Sequence, residues 1–385
     1  MLLWVYRTSL LAVLSCAVMS VQAANWNKSK AKPIVSSINP VEIIDVASAP
    51  NTLCRPDGTK TKPYANYKYP QFNYEEFTTS REATTNKLAH SMHAVTVTLL
   101  NTDTRDVDGF QRWIKKFVAA IDDGYYSKVD TSKGKKTATS YGSPDPGYGA
   151  KVVLLASANL VSVVDSLGFW RGDQREKVIE WGNRLYSLSK IDRSGRSLSR
   201  QGADNVAFRA STYISWGLVA GVPEAVSYGK QAFNVAMNYV DDDGSLLFWS
   251  LKSDRASNPR EAFREDDKTI GLLVLAAHVA KKAGDDLYSS ENRKGKTLHD
   301  AVAWTIKANI SPQKTEQADF LATQQLISTG MRYWHWSWTP IYATDFPDTK
   351  LGSRVGELSD KYRTDVSGYY HFESMGPTSC VYDRR

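Results

Sequence analysis

Asn205 and Arg209 stand one helical turn apart in the run Asp204-Asn205-Val206-Ala207-Phe208-Arg209, just ahead of the apolar stretch Ala210 to Leu218. That spacing points an amide and a guanidinium the same way at the mouth of a buried helix, which is the chemistry a cleft for an anionic ligand needs. Asp204-Asn205 is also good N-capping chemistry, and a cap would not exclude a second role. Further along, Leu251 to Asp267 carries Arg255, Arg260 and Arg264. These arginines suit an anion, or they pair with Asp254, Glu261 and Glu265 in a solvated network.

Two other stretches carry reactive or sugar-binding side chains. Ser127 to Gly149 is long, basic and glycine-rich, with Lys135 within it and Tyr141 and Tyr148 near its end. Loops of this length inside a compact domain are commonly lids or binding loops. Met331 to Tyr342 holds six aromatic or imidazole rings in ten positions, Trp334, His335 and Trp338 among them. Flat rings stack on sugar faces, but at helical spacing one face of this run is equally suited to a core. Guanidinium and amide groups neutralising a carboxylate, with Tyr148 and His335 available to move protons, fit β-elimination on a uronate: the proton beside the carboxylate becomes removable once its charge is offset.

Positioning these residues falls to helices. Apolar periodicity predicts Arg81–Leu100, Arg105–Asp122, Tyr148–Leu167, Arg171–Ser189, Asn205–Gly221, Pro223–Tyr239, Arg264–Ala283, Gly295–Asn309 and Lys314–Thr329. Gly168, Gly221 and Gly284 close apolar runs, and Pro223 opens one. Strand-like alternation is scarce, and short connections imply antiparallel hairpins. The expected fold is all-α, an (α/α) barrel or toroid over residues 81–348, with an extended N-terminal arm at 25–80 and a tail at 349–385. No fixed-period repeat supports a solenoid.

Residues 1–24 read as a cleaved signal peptide: Arg7, an apolar run from Thr8 to Val21, and the small-residue site Val21-Gln22-Ala23. Val13-Leu14-Ser15-Cys16 resembles a lipoprotein box, but the apolar run continues past Cys16. The expectation is therefore soluble export to the periplasm or medium, with no later segment long and apolar enough to span a bilayer. Of three cysteines, Cys54 and Cys380 remain, and a disulfide between them is expected of an exported chain, with two free thiols as the alternative. His90 and His93 share a helical face without further ligands, His278 lies inside an apolar helix, and Asp241-Asp242-Asp243-Gly244 lacks the pattern of a calcium loop. No metal or other cofactor is expected. A net charge of +7 with eleven tryptophans and twenty tyrosines suits an acidic carbohydrate partner, although such a charge also simply aids solubility. Nothing matches a nucleic-acid module, and a monomer is favoured.

Together these segments resemble the alginate lyase family with an (α/α) barrel, over about residues 148–347. That family carries Asn-Asn-His-x-Tyr-Trp at the start of a helix, matched here by Asp204 to Arg209. It then has an acidic glycine-terminated turn, an arginine-rich loop leading into Arg-Ala-Leu-x-Tyr-His, and a Trp-x-Pro-x-Tyr segment. Their counterparts are Val240 to Gly244, Arg260 to Glu265, and Trp338-Thr339-Pro340-Ile341-Tyr342. The resemblance implies that Asn205 neutralises a carboxylate and that Arg260 binds substrate. It also puts the family's catalytic histidine at Val206 and its tyrosine near Arg264, neither of which can do that chemistry.

The sequence therefore predicts a polysaccharide lyase acting on an acidic polymer. Asn205, Arg260, Arg264, Tyr148 and His335 are its catalytic candidates, and Arg209, Lys135, Tyr141, Trp334 and Trp338 its substrate-binding ones. One rival is a glycoside hydrolase using carboxylates from Asp204, Glu265, Asp266 and Asp267. The other is a polysaccharide-binding or export protein without catalysis.

Overall fold

The computed structural model describes residues 39–44, 81–100, 105–123, 146–190, 198, 201–246, 259–310 and 338–363. All of them belong to one compact unit, Ser36–Arg385. They form ten helices and, among the described residues, no strand: α1 Arg81–Leu100, α2 Val107–Asp122, α3 Pro146–Leu167, α4 Gln174–Ser189, α5 Ala203–Ala220, α6 Pro223–Met237, α7 Pro259–Lys282, α8 Leu298–Ile310, α9 Thr339–Asp345 and α10 Lys350–Arg363.

Side-chain patterning sorts these helices into two layers. In α3 every residue from Ala150 to Val164 is buried, in α5 every residue from Val206 to Ala220, and in α7 every residue from Thr269 to Ala280. A helix apolar on all sides must be surrounded by protein. The helices α2, α4 and α6 instead alternate buried and exposed positions and cover the inner set. The inner helices pack in sequence, α1 on α3, α3 on α5 and α5 on α7, which is the architecture of an (α/α) barrel.

The hairpins are fixed by close approach. Gly217 and Gly229 let α5 and α6 touch: a Cβ at Gly217 would lie 2.7 Å from the Val226 nitrogen, and one at Gly229 2.8 Å from the Ile214 nitrogen. Gly221, at φ 68°, closes α5 in the left-handed conformation, and Pro223 starts α6 two residues later. On the other side α4 runs antiparallel to α5. The Trp216 indole donates to Asn183 Oδ1 at 3.0 Å, the Tyr186 and Tyr213 rings meet edge-on at 5.2 Å, and Ser189 Oγ lies 3.0 Å from the Tyr213 hydroxyl.

The neighbouring inner helices α3 and α5 are parallel. Near their N-terminal ends Lys151 reaches Phe208. Near their C-terminal ends residues 39–44 bridge them, Val41 N donating to Leu218 O at 2.9 Å while Ile43 N and Ile44 N donate to Ser162 Oγ at 3.0 and 3.1 Å. Ile43 and Ile44 are buried there. The remainder of the expected arm lies outside the described residues, as do residues 1–24, Cys54 and Cys380.

Several boundaries move for local reasons. Asp106 caps α2 by accepting from Gly109 N at 2.7 Å, so that helix starts at Val107. Gly172 and Gly295, at φ 55° and 68°, hold turns that delay α4 and α8, while Pro259 opens α7 five residues before the expected Arg264. The expected helix at Lys314–Thr329 lies outside the described residues. Two helices add to the expectation: α9, and α10, which packs on α9 where only a tail was anticipated. The membrane expectation is corrected too. Ala150–Leu167 is long and apolar enough to cross a bilayer, but 83% of it is buried as the inner helix α3.

The C-terminal end of α7 is tied to α9 by a buried polar network. His278 Nδ1 lies 2.8 Å from Asp345 Oδ2, and the Tyr288 hydroxyl donates to the same oxygen at 2.8 Å. His299 Nδ1 lies 2.7 Å from the Tyr342 hydroxyl.

Candidate active site

Asn205 is the third residue of α5, exposed at its N-terminal end. The cap position belongs to Gly202, in extended conformation, so the capping reading of Asn205 does not hold. One residue earlier, half-buried Asp204 faces Tyr239 at the end of α6. The Tyr239 hydroxyl donates to Gln201 O at 2.7 Å, and burial, with the Asp204 charge, raises its pKa.

One turn further in, the environment changes to protein interior. Val206 is fully buried, and Phe208 is 1% exposed. Lys151, on the second turn of α3, is 2% exposed with its ammonium 5.5 Å from the Phe208 ring centroid. Lysine is almost never buried this completely without a compensating environment, and an aromatic face supplies part of one. Two turns into α7, Asp266 and Asp267 are 3% and 4% exposed.

The structure separates Asn205 from Arg209 despite their helical spacing. Arg209 is buried and turns away from the mouth toward α4, with Nη1 3.5 Å from Ser189 O and its guanidinium beside the Tyr213 hydroxyl. Its Nε has no hydrogen-bond partner. A cation at the last carbonyls of α4 suits the negative end of that helix. Arg209 is thus a packing residue between α4 and α5, not a second ligand beside Asn205.

Trp338 is also corrected. It is fully buried at the start of α9, edge-on to Tyr342 at 6.4 Å, and offers no face to a sugar. Tyr148 lies in the first turn of α3, and Arg260 and Arg264 lie in the first turns of α7. Their side chains, and that of Glu265, are outside the described residues, as are Lys135, Tyr141, Trp334 and His335. His93 is buried in α1, and Asp241 to Gly244 forms a tight turn closed by Gly244 N to Asp241 O at 2.9 Å, with Lys294 paired to Asp241. Among the described residues no group of histidine, cysteine and carboxylate side chains is arranged to hold a metal ion.

Lys151 and Tyr239 are not among the candidates that the sequence suggests. Lys151 does carry a signal, as a lone charge in the apolar run Ala150-Lys151-Val152-Val153-Leu154-Leu155. Tyr239 carries none, because only the α5–α6 hairpin brings it to Asp204.

Comparison with known proteins agrees with this architecture. No curated protein sequence matches the chain. Among solved structures, a histidine-to-alanine variant of alginate lyase A1-III complexed with a tetrasaccharide superimposes with a TM-score of 0.57 at 16% identity, covering 91% of this chain and 98% of that one. A tyrosine-to-phenylalanine variant of the same enzyme, also with tetrasaccharide, gives 0.58 at 14% identity over 89% and 94%. Alginate lyase A1-III from Sphingomonas species A1 gives 0.53 at 14% identity over 94% and 93%. At these identities the likeness is one of fold. A sequence model of the family described as alginate lyase matches residues 111–315, from α2 to beyond α8 and more than half of the chain. The chain belongs to the alginate lyase family, a family of polysaccharide lyases.

Proposed function

We propose that this protein is exported and cleaves a uronate-containing polysaccharide by β-elimination. The observation that carries the reading is the exposed amide of Asn205 at the N-terminal end of inner helix α5, beside the N-terminal end of the parallel helix α3. Helix N-termini favour negative charge, and an amide donor placed there suits a carboxylate. In the reaction a base removes the proton at C5, its electron pair forms the C4–C5 double bond, the C4–O bond breaks, and the departing oxygen takes up a proton. Negative charge grows on the carboxylate as the C5 proton leaves, so donors fixed around it lower the barrier. Tyr148 and His335 are the proton-transfer candidates, and Arg260 the partner of Asn205 in binding the carboxylate. The apolar segment at residues 8–21 supports export.

The test is incubation with a panel of polyuronates, following the ultraviolet absorbance of the unsaturated product. A rise that disappears in Asn205→Ala supports elimination and names the substrate. New reducing ends without absorbance would replace it with hydrolysis. The full burial of Val206 favours a second reading, a polyuronate-binding protein without catalysis. Retention on a polyuronate column with no new chain ends would establish that one.

A further inference from the structure

We infer that Arg209 and Thr212 hold a small monovalent anion, of the size and charge of a halide ion, where α5 packs on α4. Arg209 is 5% exposed, and its Nε is buried without a hydrogen-bond partner. One turn further along the same side of α5, Thr212 Oγ1 is buried without a partner as well. A buried polar group that makes no hydrogen bond is costly. Two such donors on one side of one helix suit a common acceptor.

Charge decides what that acceptor is. A guanidinium cannot shed its proton to escape burial, so it needs a negative partner. Among the described residues no carboxylate pairs with Arg209, whose one hydrogen bond runs from Nη1 to Ser189 O at 3.5 Å. Glu224, the carboxylate near Tyr186, is taken by Lys190 at 2.5 Å. Tyr213 supplies no counter-charge, because burial pushes its pKa up to about 12. Its hydroxyl donates to Ser189 Oγ at 3.0 Å, since the single Ser189 hydroxyl proton goes to Tyr186 O at 2.7 Å. The end of α4 offers about half an elementary charge, and its carbonyl meets Nη1, not Nε. A water would satisfy the donors and leave the charge uncompensated, whereas an anion does both. The anion must be small, because every residue from Val206 to Ala220 is buried and a sugar chain has no access.

The experiment follows thermal unfolding of the full chain as chloride replaces gluconate, an anion too large to enter, at constant ionic strength. A ligand that binds only the folded state raises Tm until its site fills. Wild type is expected to gain about 2 °C or more and then level off, while Arg209→Met stays flat. Thr212→Val, nearly the same shape without the hydroxyl, is expected to need several-fold more chloride for half of the rise. A flat wild type, an Arg209→Met variant with the same rise, or an unchanged half-point in Thr212→Val overturns the assignment. Crystals grown in bromide decide the matter without any variant. Bromide within hydrogen-bond reach of Arg209 Nε and Thr212 Oγ1 supports the site, and a water there overturns it.

Discussion

His278 Nδ1 and Asp345 Oδ2 meet at 2.8 Å where α7 packs on the last residue of α9, and both side chains are at least nine-tenths buried. Burial works against the Asp345 charge, but hydrogen bonds and charge from His278, then Tyr288 and Lys281, hold its carboxyl below the ordinary aspartate range. A carboxylate whose folded pKa is depressed contributes stability that is present above the unfolded value near 4 and lost as pH falls through the folded one. Denaturant titrations from pH 6 to pH 2 are expected to show this acid-dependent loss in wild type and a flatter profile in Asp345→Asn. That variant should also cost about 3 kcal/mol at neutral pH, since removing one partner strands a buried polar group. Equal acid slopes in the two proteins would refute the role given to Asp345.

Alkali should act through buried tyrosines between α4 and α5. Burial pushes the Tyr213 hydroxyl up to about 12 and raises Tyr186 as well. A phenol with a raised folded pKa contributes stability that is complete below the unfolded value near 10 and declines as pH climbs from there toward the folded value. Urea midpoints measured from pH 8 to 11.5 should fall above pH 10, and Tyr213→Phe should lessen the fall. A midpoint independent of pH over that range would contradict it.

Close packing between α5 and α6 predicts intolerance at Gly229. An added methyl would meet the Ile214 nitrogen at 2.8 Å and Ala210 O at 3.2 Å, and neither backbone atom can rotate away. Gly229→Ala is expected to lower stability by about 1–3 kcal/mol, read as a reduced Tm. An unchanged or higher Tm would mean the helices separate freely at this crossing.

Asn205 and Arg209 should respond oppositely to alanine. Exposed Asn205 is expected to lose about 10²–10³ in kcat when truncated, with Tm within a degree or two of wild type. Buried Arg209 is expected to lose about 1–3 kcal/mol of stability while KM stays near the wild-type value. A large rise in KM for Arg209→Ala, with Tm intact, would restore it to the substrate site.

Helix existence was legible along the chain because it depends on local periodicity: α1 matches its expected span, and Gly168, Gly221 and Gly284 all adopt positive φ where apolar runs end. Boundaries drifted where a single cap or turn decides them, as at Asp106 and Gly295. The inner and outer layers were legible in part, since α3 and α5 are apolar on every face. What the sequence could not determine was direction around the helix axis. A spacing of four places Asn205 and Arg209 on one side, but only the packing of α4 against α5 draws the guanidinium inward while the amide stays in solvent. The same holds for Trp338, whose composition suited a sugar platform until α9 turned it into the core. Lys151 and Phe208, fifty-seven residues apart in sequence, meet because α3 and α5 are parallel neighbours in the inner ring. Residue types and local elements follow from short-range sterics and patterning; which charges share a site follows from long-range contacts that no local pattern encodes.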